Sequence, residues 1–387
     1  MKKSVLVGFG ALTILALLMA PICALAAEWN MYGSARVGFF FNSNDKEVDD
    51  TYWSDSGSAG DGVNDDTDLY FNLVGNSRIG ANVKTSDAVS GRFEFGVNPS
   101  NVGTRLIYGD WNFGSGTLRV GQDYTPISGA TSGQVIDWDD NLNSVGAVDE
   151  PRTPQIKLIM GGLQVGLIQN AGSSNFGAYP NTDILLPKIE VSYEIANDMM
   201  SIMPFVGYQT FDVETTGANQ TSESITSFLV GVHGRFNFGP AYVNVSGHWA
   251  QNAGDFQLFE RGVDSVSLAG VVTQTVPAGA SFAQLVGTSI EDATTYGAAL
   301  VAGFKASDTV SVEAGVGYTK SEVDIAPAVT VEDDTMCYYV NASITLANGV
   351  YIVPEIGIFD FGDLDVGSTS TKEGQRLYYG AKFQLDF

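Results

Sequence analysis

Histidine, cysteine and basic residues are all scarce in this 387-residue chain, which has 2 His, 2 Cys and 19 Lys plus Arg against 44 Asp plus Glu. The formal charge of −25 excludes an electrostatic nucleic-acid binder, which needs a basic face. The two histidines, His233 and His248, belong to no Ser/His/Asp arrangement with a recognisable spacing. His233 alternates with Arg235 and Asn237 on one polar strand face, a lining position rather than that of a general base, so the chain reads as a non-enzyme. Cys23 falls in the leader described below. Cys337 therefore stands alone, no intramolecular disulfide forms, and its expected place is a half-buried strand position. Two further absences bear on architecture. Beyond the N-terminal leader no apolar run is long enough to cross a bilayer as a helix, and no Pro-rich or Ser-rich linker divides the chain into separate domains.

Glycine, by contrast, is abundant at 45, and aromatic residues make up 11%, as in proteins built of many strands joined by tight turns. The N-terminus reads as a signal peptide over residues 1–26. Lys2 and Lys3 start it, Val5 to Met19 form its apolar stretch, and Ala24-Leu25-Ala26 is a small-residue cleavage site. The mature chain then begins at Ala27, and residues 27–387 form one large all-β unit. Ile22 is bulkier than the residue a lipidated Cys23 requires, so lipidation is not expected.

Segments of alternating apolar and polar residues recur to the end of the chain, separated in turn by short Gly/Asn/Asp turns and by longer polar stretches. That rhythm predicts a transmembrane antiparallel β-barrel with turns on the periplasmic side and loops outside. The strands are expected at Trp29–Phe41, Thr67–Lys84, Gly91–Val97, Arg105–Phe113, Thr117–Tyr124, Thr153–Met160, Leu163–Gln169 and Ile184–Ile195. The second half follows at Met200–Val213, Ser224–Phe238, Ala241–Ala250, Thr294–Lys305, Thr309–Lys320, Met336–Leu346, Val350–Phe359 and the C-terminal strand. In that last strand Leu377, Tyr379, Ala381, Phe383, Leu385 and Phe387 share one face, and Arg376, Tyr378, Lys382, Gln384 and Asp386 the other. An edge ending in an exposed Phe invites pairing with other chains, whereas a closed barrel has no edge. Tyr379, Phe383, Leu385 and Phe387 resemble the C-terminal signature by which the barrel-assembly machinery recognises outer-membrane proteins.

Tyr32-Gly33-Ser34-Ala35-Arg36, Ser77-Arg78-Ile79-Gly80, Arg105-Leu106-Ile107-Tyr108, and Phe113-Gly114 with Thr117-Leu118-Arg119-Val120-Gly121 and Thr125-Pro126 form an ordered set of blocks. The set resembles the general porins of Gram-negative outer membranes; the middle of the chain matches in strand rhythm alone. The resemblance implies a homotrimer of sixteen-stranded barrels whose third loop folds into the pore, a basic wall facing acidic loop groups. Carried over by position, the wall would be Arg36, Arg78, Arg105 and Arg152. The loop would supply Asp137, Asp139, Asp140, Asp149 and Glu150, with Trp138 as a packing anchor. Parity agrees for two of the arginines: Arg36 shares a face with Tyr32 and Ser34, and Arg78 with Asn76, Gly80 and Asn82, each opposite an apolar row. The chain departs from the family pattern at Ser34 and Gln122, where relatives carry a base, in lacking Pro-Glu-Phe-Gly-Gly in the loop, and in a second loop too short for a subunit-bridging latch.

The implied function is passive diffusion of small hydrophilic solutes and ions, with lipid and lipopolysaccharide as the barrel's surroundings. Acidic residues crowd the outer connections, among them Asp45, Glu47, Asp49, Asp50, Glu332, Asp333, Asp334, Asp360, Asp363 and Asp365. A negative vestibule concentrates cations, which predicts mild cation selectivity. No cofactor is implied. Asp65, Asp66 and Asp68 are candidate oxygen ligands for Ca²⁺ or Mg²⁺, although a solvated loop accounts for the same run. The alternatives are a substrate-selective channel for a sugar, peptide or metal ion, using Trp138 and Tyr124 for stacking, and a structural or adhesin barrel.

Overall fold

The computed structural model describes residues 27–48, 67–97, 102–129, 131–136, 139, 142, 145–148, 150–170, 172, 181–214, 222–258, 280–286, 289–326 and 328–387. The expected leader at 1–26, and Asp65 and Asp66, lie outside these residues.

Sixteen antiparallel strands, each hydrogen-bonded to the next, close into a barrel. The first strand, Glu28–Asn44, pairs with the last, Gln375–Asp386, from Ser34 opposite Asp386 to Asn44 opposite Arg376. The second strand is interrupted, and its halves Thr67–Leu73 and Arg78–Lys84 both pair with the first. The third to seventh are Val89–Val97, Val102–Asn112, Thr117–Asp123, Thr153–Met160 and Leu163–Ile168. The eighth comes in pieces, Asn181–Asp183, Lys188–Tyr193 and Ile195–Ala196, alongside the ninth, Met200–Glu214. The tenth to fifteenth are Ser222–Phe238, Ala241–Gln251, Thr294–Lys305, Val310–Ala326, Val329–Ala347 and Val350–Asp360. Two short hairpins, Gln284–Val286 with Ser289–Glu291 and Asp363–Val366 with Thr369–Lys372, stand at the outer rim.

Period-two alternation dictates which residues meet lipid. In the twelfth strand Tyr296, Leu300 and Phe304 point outward and are exposed, while Thr295, Gly297, Ala299, Val301 and Gly303 point inward and are buried. The last strand obeys the same rule: Leu377, Tyr379, Phe383, Leu385 and Phe387 are exposed, whereas Arg376, Tyr378 and Lys382 are buried. Closure leaves no open backbone edge, the condition a β-structure must meet in hydrocarbon. The connections on the side of the chain termini are short. One is Asn348-Gly349, where Gly349 has φ +76°, the left-handed backbone a two-residue hairpin requires.

Two expectations are corrected. Glu332, Asp333 and Asp334 are strand residues rather than loop residues, because the thirteenth and fourteenth strands continue beyond Met336, where pairing with the fifteenth ends, and pair Lys320 with Asp334 and Val323 with Val331. Val323, Ile325, Val331 and Val366 form a small core there, with Ala280 and Ala293, that carries the sheet outward. Asp68 lies in the second strand, opposite Asn42, within the range expected for that strand. Cys337 is fully buried rather than half-buried, with its Sγ 3.2 Å from Gln134 Nε2.

Candidate functional site

The barrel interior has two unlike walls. On the first and third strands parity turns Tyr32, Arg92 and Glu94 inward and Phe93 outward; on the fourth, a bulge opposite Glu94 and Phe95 makes Arg105 the extra residue, so that it is buried although Ile107, two residues on, is exposed. Glu94 is the hub. Its carboxylate accepts from Arg105 Nε at 2.7 Å, Arg92 Nη2 at 3.0 Å and the Tyr32 hydroxyl at 2.8 Å, and Arg78 Nε lies 3.8 Å away. A second set adjoins it on the fourth to sixth strands. Arg119 makes a bidentate pair with Asp110 at 2.7 Å for each bond and a third bond of 2.7 Å to Asp123, which also accepts from Lys157 at 2.7 Å. The guanidinium lies 3.8 Å from the centre of the Tyr108 ring. Planar forks held by carboxylates on neighbouring strands give these arginines fixed directions. Arg152 lies 4.8 Å from the Tyr124 ring centre.

On the other wall, described residues between Thr125 and Glu150 meet the inward side chains of the eighth to sixteenth strands and of the first. Ile127 O bonds His233 Nε2 at 3.0 Å, and Thr131 O accepts from Asn244 at 2.9 Å. Gly133 N donates to Glu313 at 2.7 Å, and Tyr242 and Tyr339 also donate to that carboxylate. Val135 N and Ile136 N donate to Glu355 at 2.8 and 2.9 Å. Asp139, whose backbone is left-handed at φ 73°, pairs with both Arg36 and Lys382. The segment can lie close to the wall because glycines face it. A Cβ on Gly317 would stand 2.0 Å from Val145 O, and one on Gly146 would stand 2.2 Å from Ala298 O, distances no side chain tolerates. Gly146 N donates to Thr319 Oγ1 at 2.7 Å.

Glu150 has no exposed side-chain surface. It accepts from Lys188 at 2.7 Å and Thr125 at 2.7 Å, and Lys188 also lies 3.3 Å from Glu190 and 4.5 Å from the Phe256 ring centre. Beside this ion group, Ile127, Val148, Phe205, Leu229, Phe256 and Leu258 form a core joining the segment to the connection after the eleventh strand. In that connection Asp255 accepts from Ala283 N at 2.8 Å. Burial, with a minor contribution from Asp292, pushes its carboxyl up to about 7.

Among the residues nominated from sequence, Arg36 and Asp139 are brought together, and Arg78 and Arg105 share Glu94. Arg152 lies beside Arg105, and Glu150 is enclosed with Lys188. Asp137, Asp140 and Asp149, with Trp138, lie outside the described residues. Gln122 caps carbonyls of Thr104 and Arg105. Sequence reasoning did not single out Glu94, Arg92, Asp110, Asp123, Lys157, Lys188, Glu313 or Glu355. Parity alone would have turned Arg92 and Glu94 inward, between Phe93 and Phe95.

No family model matches this sequence, and no curated protein does. Solved structures do match in fold. The outer membrane channel DcaP of Acinetobacter baumannii superposes with a TM-score of 0.65 at 16% identity, over 93% of this chain and 97% of that one. An anion-selective porin from Comamonas acidovorans gives 0.56 at 12% identity, over 93% and 100%. The trimer form of in-vitro folded OmpT, an outer membrane protein of Vibrio cholerae, gives 0.52 at 14%, over 93% and 99%. At these identities the property shared with the porins is the fold itself, a closed sixteen-stranded antiparallel barrel.

Proposed function

We propose that the chain is an outer-membrane porin, a water-filled channel through which small hydrophilic solutes and ions diffuse passively, and that it works as a homotrimer. The observation that carries this reading is a closed sixteen-stranded barrel, lipid-compatible outside and charged within. A barrel of that strand number leaves a lumen too wide for side chains to fill. The segment between Thr125 and Glu150, anchored through Glu313, Glu355, Arg36 and Lys382, narrows that lumen toward the arginine wall. An excess of basic groups on the open wall, where Arg78, Arg92, Arg105, Arg119, Arg152 and Lys157 outnumber Glu94, Asp110 and Asp123, and carboxylates under the opposite side create a transverse field in which polar solutes align. The OmpT trimer form favours the trimeric reading.

Mild cation selectivity is the first reading, since the formal charge is −25 and a negative mouth concentrates cations. A second reading, anion selectivity, is favoured by Arg78, Arg92, Arg105, Arg119 and Arg152 in the lumen, and by the anion-selective Comamonas barrel. Single-channel conductance of the refolded protein in a planar bilayer tests the proposal, with reversal potentials under a salt gradient. Large ohmic steps in groups of three are expected. A cation-positive potential that weakens as the Debye length falls to about 3 Å at 1 M salt supports the vestibule acids, and the opposite sign supports the arginine wall. A folded barrel without conductance would overturn the channel reading.

A further inference from the structure

The first five strands bring two rows of inward side chains together on the open wall, at the mouth on the side of the chain termini. In one row Asn30 stands opposite Asn82, Asn82 opposite Arg92, and Arg92 opposite Tyr108. In the next, Glu28 stands opposite Lys84, Lys84 opposite Ser90, Ser90 opposite Asp110, and Asp110 opposite Arg119. All of these except Arg119 line one cavity of about 250 Å³. One side of it is held in place. Arg92 donates to Tyr32 through Nε and to Glu94 through Nη2, and Arg119 grips both Asp110 oxygens while lying against the Tyr108 ring. The rest is uncommitted: among the described residues, the Asn30 and Asn82 amides and the Ser90 hydroxyl have no hydrogen-bond partner in the protein.

The lining is formally neutral, since Glu28 and Asp110 offset Lys84 and Arg92, and Lys84 pairs with Asp87 at 2.8 Å. An ion would give up its hydration for charges that already cancel. A neutral polyol gives up less, and each of its hydroxyls both donates and accepts, as do the free amides and the Ser90 hydroxyl. The Tyr108 ring adds an apolar surface for C–H groups. The volume is below the roughly 300 to 1,000 Å³ of pockets that enclose drug-sized ligands, so it suits one sugar ring rather than a chain of them. We propose that this cavity is a binding subsite for a neutral monosaccharide in its ring form, with Asn30 and Asn82 bonding its hydroxyls and Tyr108 packing against its C–H face. The subsite rests on the channel reading for the sugar's access.

The test is a saturation-transfer NMR titration of D-glucose against the full-length protein, refolded in a zwitterionic detergent that carries no sugar headgroup. Saturable transfer is expected in the wild type. The dissociation constant should rise about fivefold or more in Asn82→Ala, which removes the amide at the centre of the first row. Asn30→Ala should act in the same direction and guards against a folding defect in the first variant. Heat-modifiable migration confirms that each variant has folded. Absence of saturable transfer in the wild type overturns the proposal. Unchanged affinity in both variants also overturns it, by placing the sugar elsewhere in the lumen. Displacement of glucose by an equal concentration of inorganic phosphate would make the cavity an anion site and refute the neutral ligand. None of these outcomes reads conductance: a conducting barrel that ignores glucose loses the subsite alone, and a glucose-binding barrel that does not conduct loses the channel reading alone.

Discussion

The two interior walls differ in what satisfies their charges. On the open wall, arginines are held by carboxylates of neighbouring strands, Glu94, Asp110 and Asp123, and the side chains of Arg78, Arg92 and Arg119 keep part of their surface in the lumen. On the covered wall the carboxylates Glu313 and Glu355 accept backbone N–H groups of residues 133, 135 and 136. One wall thus uses its acids to fix the directions of arginine side chains, and the other uses them to hold a chain segment whose described residues have no sheet partner of their own. Backbone amides inside a barrel must find acceptors somewhere, and inward carboxylates are acceptors of high capacity.

Substitutions can break this division. The largest effect is expected at the enclosed ion group. Lys188→Met leaves Glu150 and Glu190 facing each other without their cation, and loss of one partner of a buried pair costs about 3 to 5 kcal/mol. Thermal unfolding followed by heat-modifiable migration will read that loss. Glu355→Ala comes next, since it orphans the amides of Val135 and Ile136 at about 1 to 3 kcal/mol each. Its conductance trace should be noisier than wild type, and an unchanged trace with unchanged stability would show that the anchor is dispensable.

A smaller, local effect is set by pH. Asp255 has a folded carboxyl value near 7, above its ordinary value of 3.8. The folded state therefore holds the proton more tightly, and stability falls as pH rises between the two values. Its contribution is fully present below about pH 4 and is lost once pH has risen through about 7. Hydrogen exchange over residues 252–258 should accelerate from pH 5 to pH 8 after correction for intrinsic rates, and Asp255→Asn should flatten that dependence. The smallest effect on stability, yet the sharpest on selectivity, is expected from Glu94→Gln. It frees Arg78, Arg92 and Arg105 from their shared anion, so the reversal potential should move toward anions, most clearly at low salt. Movement toward cations would remove the arginine wall from the account of selectivity.

Much of the fold was legible in the residues. Alternation placed strands at the right segments because a sheet with lipid on one side must repeat every two residues, and Asn348-Gly349 marked a hairpin through its backbone preference. The Val323–Val331 extension was not legible: its acids at 332–334 suggested a loop, and only cross-strand partners brought from Ala280, Ala293 and Val366 make a strand of them. At the site, parity turned Arg36 and Arg78 inward, but it could not say which carboxylate each would meet. Arg78 found Glu94 on the adjacent strand, and Glu150 went to Lys188.

What the sequence determined by itself is local and periodic: which face of each strand is apolar, where tight turns fall, and that residues 375–386 form an amphipathic strand. These follow from nearest-neighbour geometry, a two-residue repeat and the conformational range of glycine. What only the tertiary structure decided is pairing across distance. Asp139 joins Arg36 and Lys382 across 103 and 243 residues, because closing the barrel sets how far each strand slides along the next. Register is a property of the whole ring, and no single strand carries it.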